Sequence, residues 1–177
     1  MFFIRHTFAH AKSIYEIDID FFKSNKVKLL LVDKDNTLDS FKAYHPSERA
    51  VELVKKLRAS DIDVAIISNN HGPKIVGYAE ELGIDCVTNS CKPFSKKLNA
   101  YISKRNIPKD NIMFVGDQMV TDVGAANKAG IRVVLTDKIV KEDQWTTHIN
   151  RIFGRAIRKK HQRKGLLIDW RNKYGKD

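Results

Sequence analysis

Two aspartates that follow an apolar run are the residues of this sequence with the clearest potential for chemistry. The run Val27–Val32 is apolar apart from Lys28, and it leads directly into Asp33, with Asp35 two positions later. Residues two apart on an extended chain point to the same side, so the two carboxylates can address one point. Such carboxylates repel each other unless a cation or a shared proton intervenes, which favours a hard divalent ion such as Mg²⁺. The alternative is that both aspartates only shape a turn, where Asp is common.

Polar side chains of other kinds follow the later apolar runs. They are a hydroxyl with two amides, an ammonium group and two more carboxylates, in the order Ser68, Asn69, Asn70, Lys92, Asp117 and Asp122. Carboxylates for a metal, a hydroxyl and a cation are the groups that phosphoryl transfer uses. Ser68 has an alternative role as a turn or cap residue, and Asp122 has one as a favourable charge in the first turn of a helix.

The segments that carry these residues predict a doubly wound α/β fold. Five apolar runs of strand length cover residues 27–32, 64–67, 84–88, 112–115 and 132–135. Four segments of helical period lie between them; the first has Ser47 as a candidate N-cap, and the third includes Phe94 and Leu98. This alternation predicts a mostly parallel five-stranded sheet with helices on both faces. Right-handed crossovers then bring all the polar strand ends to one edge of the sheet.

The polar residues resemble the four motifs of the haloacid dehalogenase-like phosphatase superfamily. Asp33-Lys34-Asp35-Asn36-Thr37 matches its DxDxT motif, Ser68 its strand-terminal Ser or Thr, Lys92 its lysine, and Gly116-Asp117 through Asp122 its GDxxxxD motif. Together with Ser13–Ile17 and the basic C-terminal segment, these motifs resemble the YqeG family, which is related to mitochondrial phosphatases acting on phosphatidylglycerophosphate. Lys34 departs from the apolar residue expected in many bacterial relatives and could bear on access or on substrate charge.

The resemblance implies a role for each acidic motif residue. Asp33 would attack phosphorus and form an aspartyl-phosphate. Asp35 would protonate the leaving oxygen and then deprotonate the attacking water. A Mg²⁺ ion would be held by Asp33, by the backbone carbonyl of Asp35 and by Asp117.

The resemblance also implies how the phosphate is bound. Ser68 would donate a hydrogen bond to a phosphoryl oxygen, with help from the amides of Asn36 and Asn69. Lys92 would balance the charge on the nucleophile and the phosphate. Thr37 and Asp122 would support these groups from behind.

The spacing between the motifs leaves no room for a cap domain. Residues 37–64 contain a loop and one helix, and residues 70–92 contain a helix and a strand. We therefore expect one domain over residues 1–177, comprising a lead-in at 1–26, the core sheet at 27–136 and a basic C-terminal helix and tail at 145–177. An open site of this kind suits a bulky substrate, such as a lipid head group, a protein or a nucleic acid.

Positive charge is concentrated at the C-terminus. Ten Lys or Arg residues and two Asp residues lie after position 150, so this segment carries +8 of the net charge of +11. Helical periodicity places Ile149, Ile152, Phe153, Ala156 and Ile157 on one face, and it places Arg151, Arg155 and Arg158 on the opposite face. The segment either packs on the sheet with a solvated basic face, or it binds anionic lipid or RNA.

Two functional hypotheses follow from these observations. The first is a Mg²⁺-dependent phosphomonoesterase, with phosphatidylglycerophosphate as the substrate that the resemblance favours. The second is a ribosome- or RNA-associated protein with a secondary phosphatase activity.

The spacing of Cys86 and Cys91 fits neither a zinc knuckle nor a redox pair. The sequence has no apolar run of the roughly 20 residues that span a bilayer, so we expect a cytoplasmic protein that can bind the inner face of the membrane peripherally.

Overall fold

A six-stranded parallel sheet forms the centre of the molecule. The computed structural model describes residues 6–140 and 148–174, and for residues 148–153 it describes the backbone alone. The strands, in chain order, are β1 Ala9–Ala11, β2 Leu29–Val32, β3 Asp63–Ile67, β4 Asp85–Val87, β5 Ile112–Gly116 and β6 Arg132–Thr136. They lie in the order β1-β6-β5-β2-β3-β4, and every pairing is parallel. This confirms the predicted doubly wound parallel sheet.

The predicted count of five strands is wrong by one. The additional strand, β1, lies in the segment expected to be only a lead-in, and it pairs with β6 through Ala9 and Ala11, opposite Val134 and Thr136. It is three residues long, with a polar His10 between two alanines, so it has neither the length nor the apolar content that marks a strand in a sequence.

Helices cover both faces of the sheet. They are α1 Ile19–Ser24, α2 Glu48–Arg58, α3 Pro73–Leu82, α4 Lys96–Ser103, α5 Asp122–Ala129 and α6 His148–Arg163. Alternate residues of β2 pack in two separate cores. Leu30 and Val32 pack in the core that contains residues of α1, α2 and α3. Leu29 and Leu31 pack in the core that contains residues of α4 and α5. Burial on both faces explains why this strand is apolar without alternation.

The helix ends follow from local sequence signals, with one exception. Ser47 caps α2 through its hydroxyl, which accepts a hydrogen bond from the Ala50 N–H at 3.4 Å. Gly83 and Gly130 end α3 and α5 in the left-handed conformation that glycine adopts readily. The exception is Phe94, which was expected on the buried face of α4. It precedes the helix and is 65% exposed, because the chain turns there and the Phe94 N–H bonds to the Cys91 carbonyl.

The C-terminal segment packs on the sheet domain. Ile157 of α6 contacts the core that contains α4 and α5. After the helix, the chain returns to the β1 edge, where the His10 N–H donates to the Ile168 carbonyl at 2.7 Å. Trp170 is 2% exposed and packs edge-on against Phe21, with ring centroids 5.7 Å apart. The described part of this segment therefore packs on the sheet domain, and Lys159, Lys160, Arg163 and Lys164 stay exposed.

The inward face of α6 differs from the expected apolar face. Ala156 is exposed, whereas Arg158 turns inward and donates to the Thr136 carbonyl at 3.0 Å. The side chains of Ile149, Arg151, Ile152 and Phe153, which the sequence prediction also used, lie outside the described residues. No helix in the described ranges combines the length and the apolar character needed to cross a membrane.

Candidate active site

The sheet order places three motif residues side by side. Strands β5, β2 and β3 are neighbours, and Asp117, Asp33 and Ser68 each come directly after one of them. Parallel strands end at the same edge, so these side chains meet above the centre of the sheet. Between residues 37 and 92, all of which the structure describes, the helices and strands are α2, β3, α3 and β4, so no further domain is inserted in this part of the chain.

Lys92 is the cation of the site. Its ammonium group is buried and lies 2.6 Å from Asp33 Oδ1, 2.8 Å from Asp122 Oδ1 and 2.7 Å from the Ile67 carbonyl. Burial by itself lowers the pKa of Lys92, but the carboxylates of Asp122 and Asp33 outweigh that effect and raise it. Lys92 is therefore protonated at physiological pH, whereas Lys96 and Lys97, the next lysines along the chain, are exposed.

Three buried carboxylates lie close together beside Lys92. One oxygen from each of Asp33, Asp117 and Asp122 lies within 4.8 Å of the others. Burial raises the pKa of Asp33 well above its usual value; Lys92 opposes the rise, and the neighbouring carboxylates add to it. With Lys92 included, the ionised cluster carries two net negative charges, so a divalent cation would balance it.

Asp122 depends on a glycine in the preceding strand. A Cβ atom built on Gly116 would lie 2.5 Å from Asp122 Oδ2, so no larger residue fits at this position. The same oxygen accepts a hydrogen bond from the Gln118 N–H at 2.9 Å. Asp122 is also the first residue of α5. It thus supports Lys92 and occupies the helix position at which a negative charge is favourable.

Asp35 lies at the outer part of the site and is held by two neighbours. Its Oδ1 is 3.1 Å from the Lys34 ammonium group, and its Oδ2 accepts a hydrogen bond from the Asn70 side chain. The Asp35 side chain retains 13% exposure, more than Asp33 with 7%. A carboxyl group in this position can exchange protons with a leaving group or with water.

Lys34 faces the interior of the protein. It is fully buried, and its ammonium group donates to the carbonyls of Ser40 at 2.9 Å and Ala43 at 2.8 Å. It also lies over the ring of Tyr78, 5.1 Å from the centroid. Burial lowers the pKa of Lys34, and Asp35 partly offsets that effect. This residue therefore fixes the loop after β2, and its charge reaches the site through the contact with Asp35.

Ser68 and Asn69 form a compact turn at the end of β3. The Ser68 hydroxyl accepts a hydrogen bond from the Asn70 N–H at 3.1 Å, so its own hydrogen can be donated to a ligand. The Asn69 side chain binds both backbone groups of Lys92, as acceptor from its N–H at 2.6 Å and as donor to its carbonyl at 2.9 Å. Ser90 donates a third hydrogen bond to the Asn69 side chain. Asn69 thus positions the loop that carries Lys92.

Asn36 and Thr37 follow Asp35 in the loop after β2, and both are buried. Asn36 is buried with a left-handed backbone, φ +66°, and its N–H donates to the Asp39 carbonyl at 2.7 Å. The Thr37 hydroxyl is buried and has no hydrogen-bond partner among the described residues. Any contact of Asn36 with a phosphate therefore has to come from its side chain.

Sequence reasoning did not identify three of the residues that hold this site. Asn70 was noted in its motif but was given no role, although it binds Asp35. Lys34 was recognised as unusual, but its burial depends on carbonyls of the following loop. Ser90 carries no sequence signal, because it contacts the site only through the fold: its hydroxyl donates to the Asn69 side chain, and its N–H donates to the Ser68 carbonyl.

Comparisons with known proteins agree with this geometry. The model of the family described as mitochondrial PGP phosphatase matches residues 3–140. The chain is 30% identical to the protein named probable phosphatase YqeG of Bacillus subtilis, over 90% of this chain and 92% of the relative. It is 26% identical to phosphatidylglycerophosphate phosphatase 1 of Arabidopsis thaliana, over 88% of this chain but only 47% of that protein.

Solved structures of the haloacid dehalogenase-like superfamily share the fold. One is 3-deoxy-D-manno-octulosonate 8-phosphate phosphatase from Moraxella catarrhalis, in complex with magnesium, phosphate and the sugar acid. It aligns with a TM-score of 0.51 at 20% identity, covering 79% of this chain and 90% of that one. The solved structures show a shared fold, and the family match shows the activity class: the chain belongs to the mitochondrial PGP phosphatase family and is a phosphomonoester hydrolase.

Proposed function

We propose that this chain removes the terminal phosphate of phosphatidylglycerophosphate in a Mg²⁺-dependent reaction that proceeds through an aspartyl-phosphate on Asp33. The family description and the name of the Arabidopsis relative support the choice of substrate. The observation that carries the proposed chemistry is the buried contact of Lys92 with Asp33, next to the carboxylate of Asp117. This arrangement provides a nucleophile, a fixed cation and an acidic pair for a metal within one cluster.

The donor set fits Mg²⁺. All the candidate ligands are oxygen atoms, which this hard cation prefers. Asp33 Oδ2 is buried without a hydrogen-bond partner among the described residues. Asp33, Asp117 and the backbone carbonyl of Asp35 would hold the ion. Both oxygens of Asp122, in contrast, are occupied by Lys92 and the Gln118 N–H. When bound, the ion supplies positive charge that offsets the repulsion between the Asp33 carboxylate and the phosphate.

Asp33, Asp35 and Lys92 have separate roles in the proposed reaction. The Asp33 carboxylate attacks phosphorus, and the bond to the leaving alcohol breaks as Asp35 donates a proton to the alcohol oxygen. Asp35 then takes a proton from a water molecule, which attacks the aspartyl-phosphate and releases inorganic phosphate. Lys92 remains protonated throughout and neutralises part of the charge on Asp33 and on the phosphoryl oxygens.

Phosphate contacts come from the turn after β3 and the loop after β2. Ser68 has a hydroxyl hydrogen available for a phosphoryl oxygen, since its oxygen already accepts from Asn70. The Asn69 side chain is used on Lys92, so this residue would contribute its backbone N–H. Asn36 would contribute its side-chain amide.

Exposed cations on and after α6 would bring this site to an anionic membrane, which for a cytoplasmic protein is the inner leaflet. Lys159, Lys160, Arg163 and Lys164 are all exposed. A basic residue near an anionic surface contributes about 1 kcal/mol, so the four together could localise the protein appreciably at low salt. Arg158 is excluded from this group because it binds the sheet domain.

Phosphate release from the lipid tests the proposed function. The protein is incubated with phosphatidylglycerophosphate in detergent micelles and with an aryl phosphate, each with Mg²⁺ and with a chelator, and Asp33→Asn serves as the blank. We expect Mg²⁺-dependent release from both substrates, with a higher kcat/KM for the lipid. Phosphate release from the aryl phosphate but not from the lipid would overturn the choice of substrate. Phosphate release that survives exhaustive chelation would overturn the proposed requirement for Mg²⁺.

Co-sedimentation with vesicles tests the membrane surface. Reversal of Lys159, Lys160 and Arg163 to Glu should abolish binding to vesicles that contain phosphatidylglycerol and leave hydrolysis of a soluble aryl phosphate unchanged. RNA binding is measured in parallel. The RNA-associated alternative would be favoured instead if the wild-type protein binds RNA tightly but does not bind vesicles, and if the reversed variant loses RNA binding.

A further inference from the structure

A cationic cleft lies directly next to the carboxylate cluster. One wall consists of the segment from Asp117 to Val120 after β5, and the other consists of Gly154, Arg155 and Arg158 of α6. Lys138, which follows β6, completes the lining. The cleft encloses about 70 Å³. Asp117 belongs both to the cleft and to the carboxylate cluster, so the two sites are continuous.

Fixed contacts hold the α6 wall of the cleft in place. The Arg158 guanidinium binds the Thr136 carbonyl at 3.0 Å, His10 Nε2 at 2.9 Å and the Asp137 carboxylate. Gly154 packs on the opposite wall, where a Cβ atom would meet Val120 Cγ2 at 3.6 Å. The helix therefore forms part of the site and is not merely attached to the domain.

The charge of the cleft selects an anion. Among the described lining residues, Lys138, Arg155 and Arg158 are cationic and Asp117 is the one carboxylate. Arg158 is paired with Asp137, and Asp117 belongs to the candidate metal site, so Lys138 and Arg155 give the lining its positive character. The sheet order β6-β5-β2-β3 places the cleft on the β6 side of Asp33, whereas Ser68 is on the β3 side. Neighbouring strands are spaced by about 4.8 Å, so the two sides are roughly 15 Å apart at most along the edge. A phosphate held by Ser68 and Lys92 cannot also fill the cleft, but a second anionic group on the same molecule can.

We infer that this cleft binds a second anionic group of the substrate, a phosphodiester separated from the reacting phosphomonoester by a short linker. Lys138 and Arg155 are the specificity-determining residues, and Met119 and Val120 provide an apolar side against which the linker carbons pack. The inference rests on the proposed function and extends it: the chain would prefer a phosphomonoester that also carries a phosphodiester over a simple one. Each charge-assisted contact removed should lower that preference by about tenfold.

Two soluble substrates test this selectivity without any contribution from a membrane. Glycerol 3-phosphate and glycerophosphoglycerophosphate, the deacylated head group, carry the same terminal glycerol phosphate, and only the second carries a phosphodiester. The readout is the ratio of their kcat/KM values for the Mg²⁺-loaded protein and for the double variant Lys138→Gln/Arg155→Gln. Lys104→Gln is the matched control, because it removes an exposed charge after α4, at the opposite edge of the sheet.

The expected result is a wild-type ratio of at least about ten in favour of the head group, nearly lost in the double variant and retained within about twofold in Lys104→Gln. A wild-type ratio near one, or equal losses on both substrates in the double variant, would overturn the cleft inference and leave the phosphatase intact. If the Mg²⁺-loaded wild type hydrolyses neither substrate nor an aryl phosphate, the proposed function itself fails, and the cleft inference fails with it.

Discussion

At the scale of single residues, the site depends on a buried charge network in which every member is needed by another. Lys92 binds Asp33 and Asp122, Asp122 requires the absence of a side chain at Gly116, and Asn69 fixes the Lys92 backbone. A change at one member therefore moves the others, because a buried charge that loses its partner is strongly unfavourable.

Gly116→Ala should disable the site without touching a reacting group. The new Cβ would meet the Asp122 carboxylate at 2.5 Å and displace it from Lys92. A displacement of about 1 Å in such a site can lower kcat/KM by about a hundredfold. Gly77→Ala is the control, since a Cβ there meets nothing within 4 Å. Activity of Gly116→Ala equal to that of the control would show that Asp122 has no part in positioning Lys92.

Lys34→Met should destabilise the fold. The change leaves the Ala43 carbonyl without the Lys34 donor, leaves the Ser40 carbonyl with the Ala43 N–H alone, and removes the cation next to Asp35. Unsatisfied buried groups cost about 1–3 kcal/mol, so the free energy of unfolding in urea should fall by an amount in this range. The exposed Lys28, immediately before β2, provides Lys28→Met as the control. If both variants unfold at the same urea concentration, the buried ammonium group contributes nothing to stability.

At the scale of elements, the strands and helix ends with strong local signals could be predicted from the sequence. Strands β2 and β5 are uninterrupted apolar runs at the centre of the sheet, and Ser47 and Gly83 mark helix ends through their own chemistry. β1 was not predictable, since its three residues form a strand only when β6 is present as a partner. Asp33, Ser68 and Asp117 could be brought together from the sequence, because each directly follows a strand and parallel strands end at the same edge of the sheet.

The orientation of α6 could not be predicted, because a tertiary contact overrides its apolar periodicity. Arg158 turns inward to meet the Thr136 carbonyl and Asp137, a pair of acceptors that helical periodicity does not reveal. Burial of Lys34 escaped prediction for the same reason. Arg158 and Lys34 are both cations whose partners are distant in the sequence or are backbone carbonyls.

Arg158→Gln should loosen α6. Its guanidinium and the Asp137 carboxylate are both partly exposed, at 25% and 47%, so the ion pair is worth up to about 1 kcal/mol. Amide hydrogens in α6 should exchange up to about fivefold faster, while those of β2 stay unchanged. Lys159→Gln, one residue further and exposed, provides the matched control. Equal exchange in the two variants would mean that other contacts hold the helix.

At the scale of the whole molecule, the site couples metal binding to protonation. Burial raises the pKa of Asp33 in the metal-free protein, so the native state holds this proton at a pH where the unfolded chain has released it. The metal-free protein therefore loses stability as pH rises from about 4, the usual carboxyl pKa, towards the raised value. Mg²⁺ binding requires the ionised carboxylate, so its stabilising effect should grow over the same window.

Thermal unfolding with and without Mg²⁺ measures this coupling. The increase in Tm produced by a fixed Mg²⁺ concentration should be larger at about pH 8 than at about pH 5. In Asp33→Asn, the Mg²⁺-induced increase should be small and independent of pH over this range. A wild-type increase that does not change with pH would contradict the assignment of Asp33 as a metal ligand whose proton must leave.

The most direct test of the whole account is to capture the covalent intermediate. The protein is mixed with an aryl phosphate and Mg²⁺, quenched rapidly in acid, reduced with borohydride and digested for peptide mass spectrometry. We expect the protein to carry a phosphoryl group before reduction, and we expect borohydride to reduce a single acyl-phosphate, at Asp33. In Asp33→Asn, we expect neither the phosphoryl group nor the reduced residue. Steady turnover without any adduct, or an adduct on another residue such as the exposed His71 near the site, would contradict it.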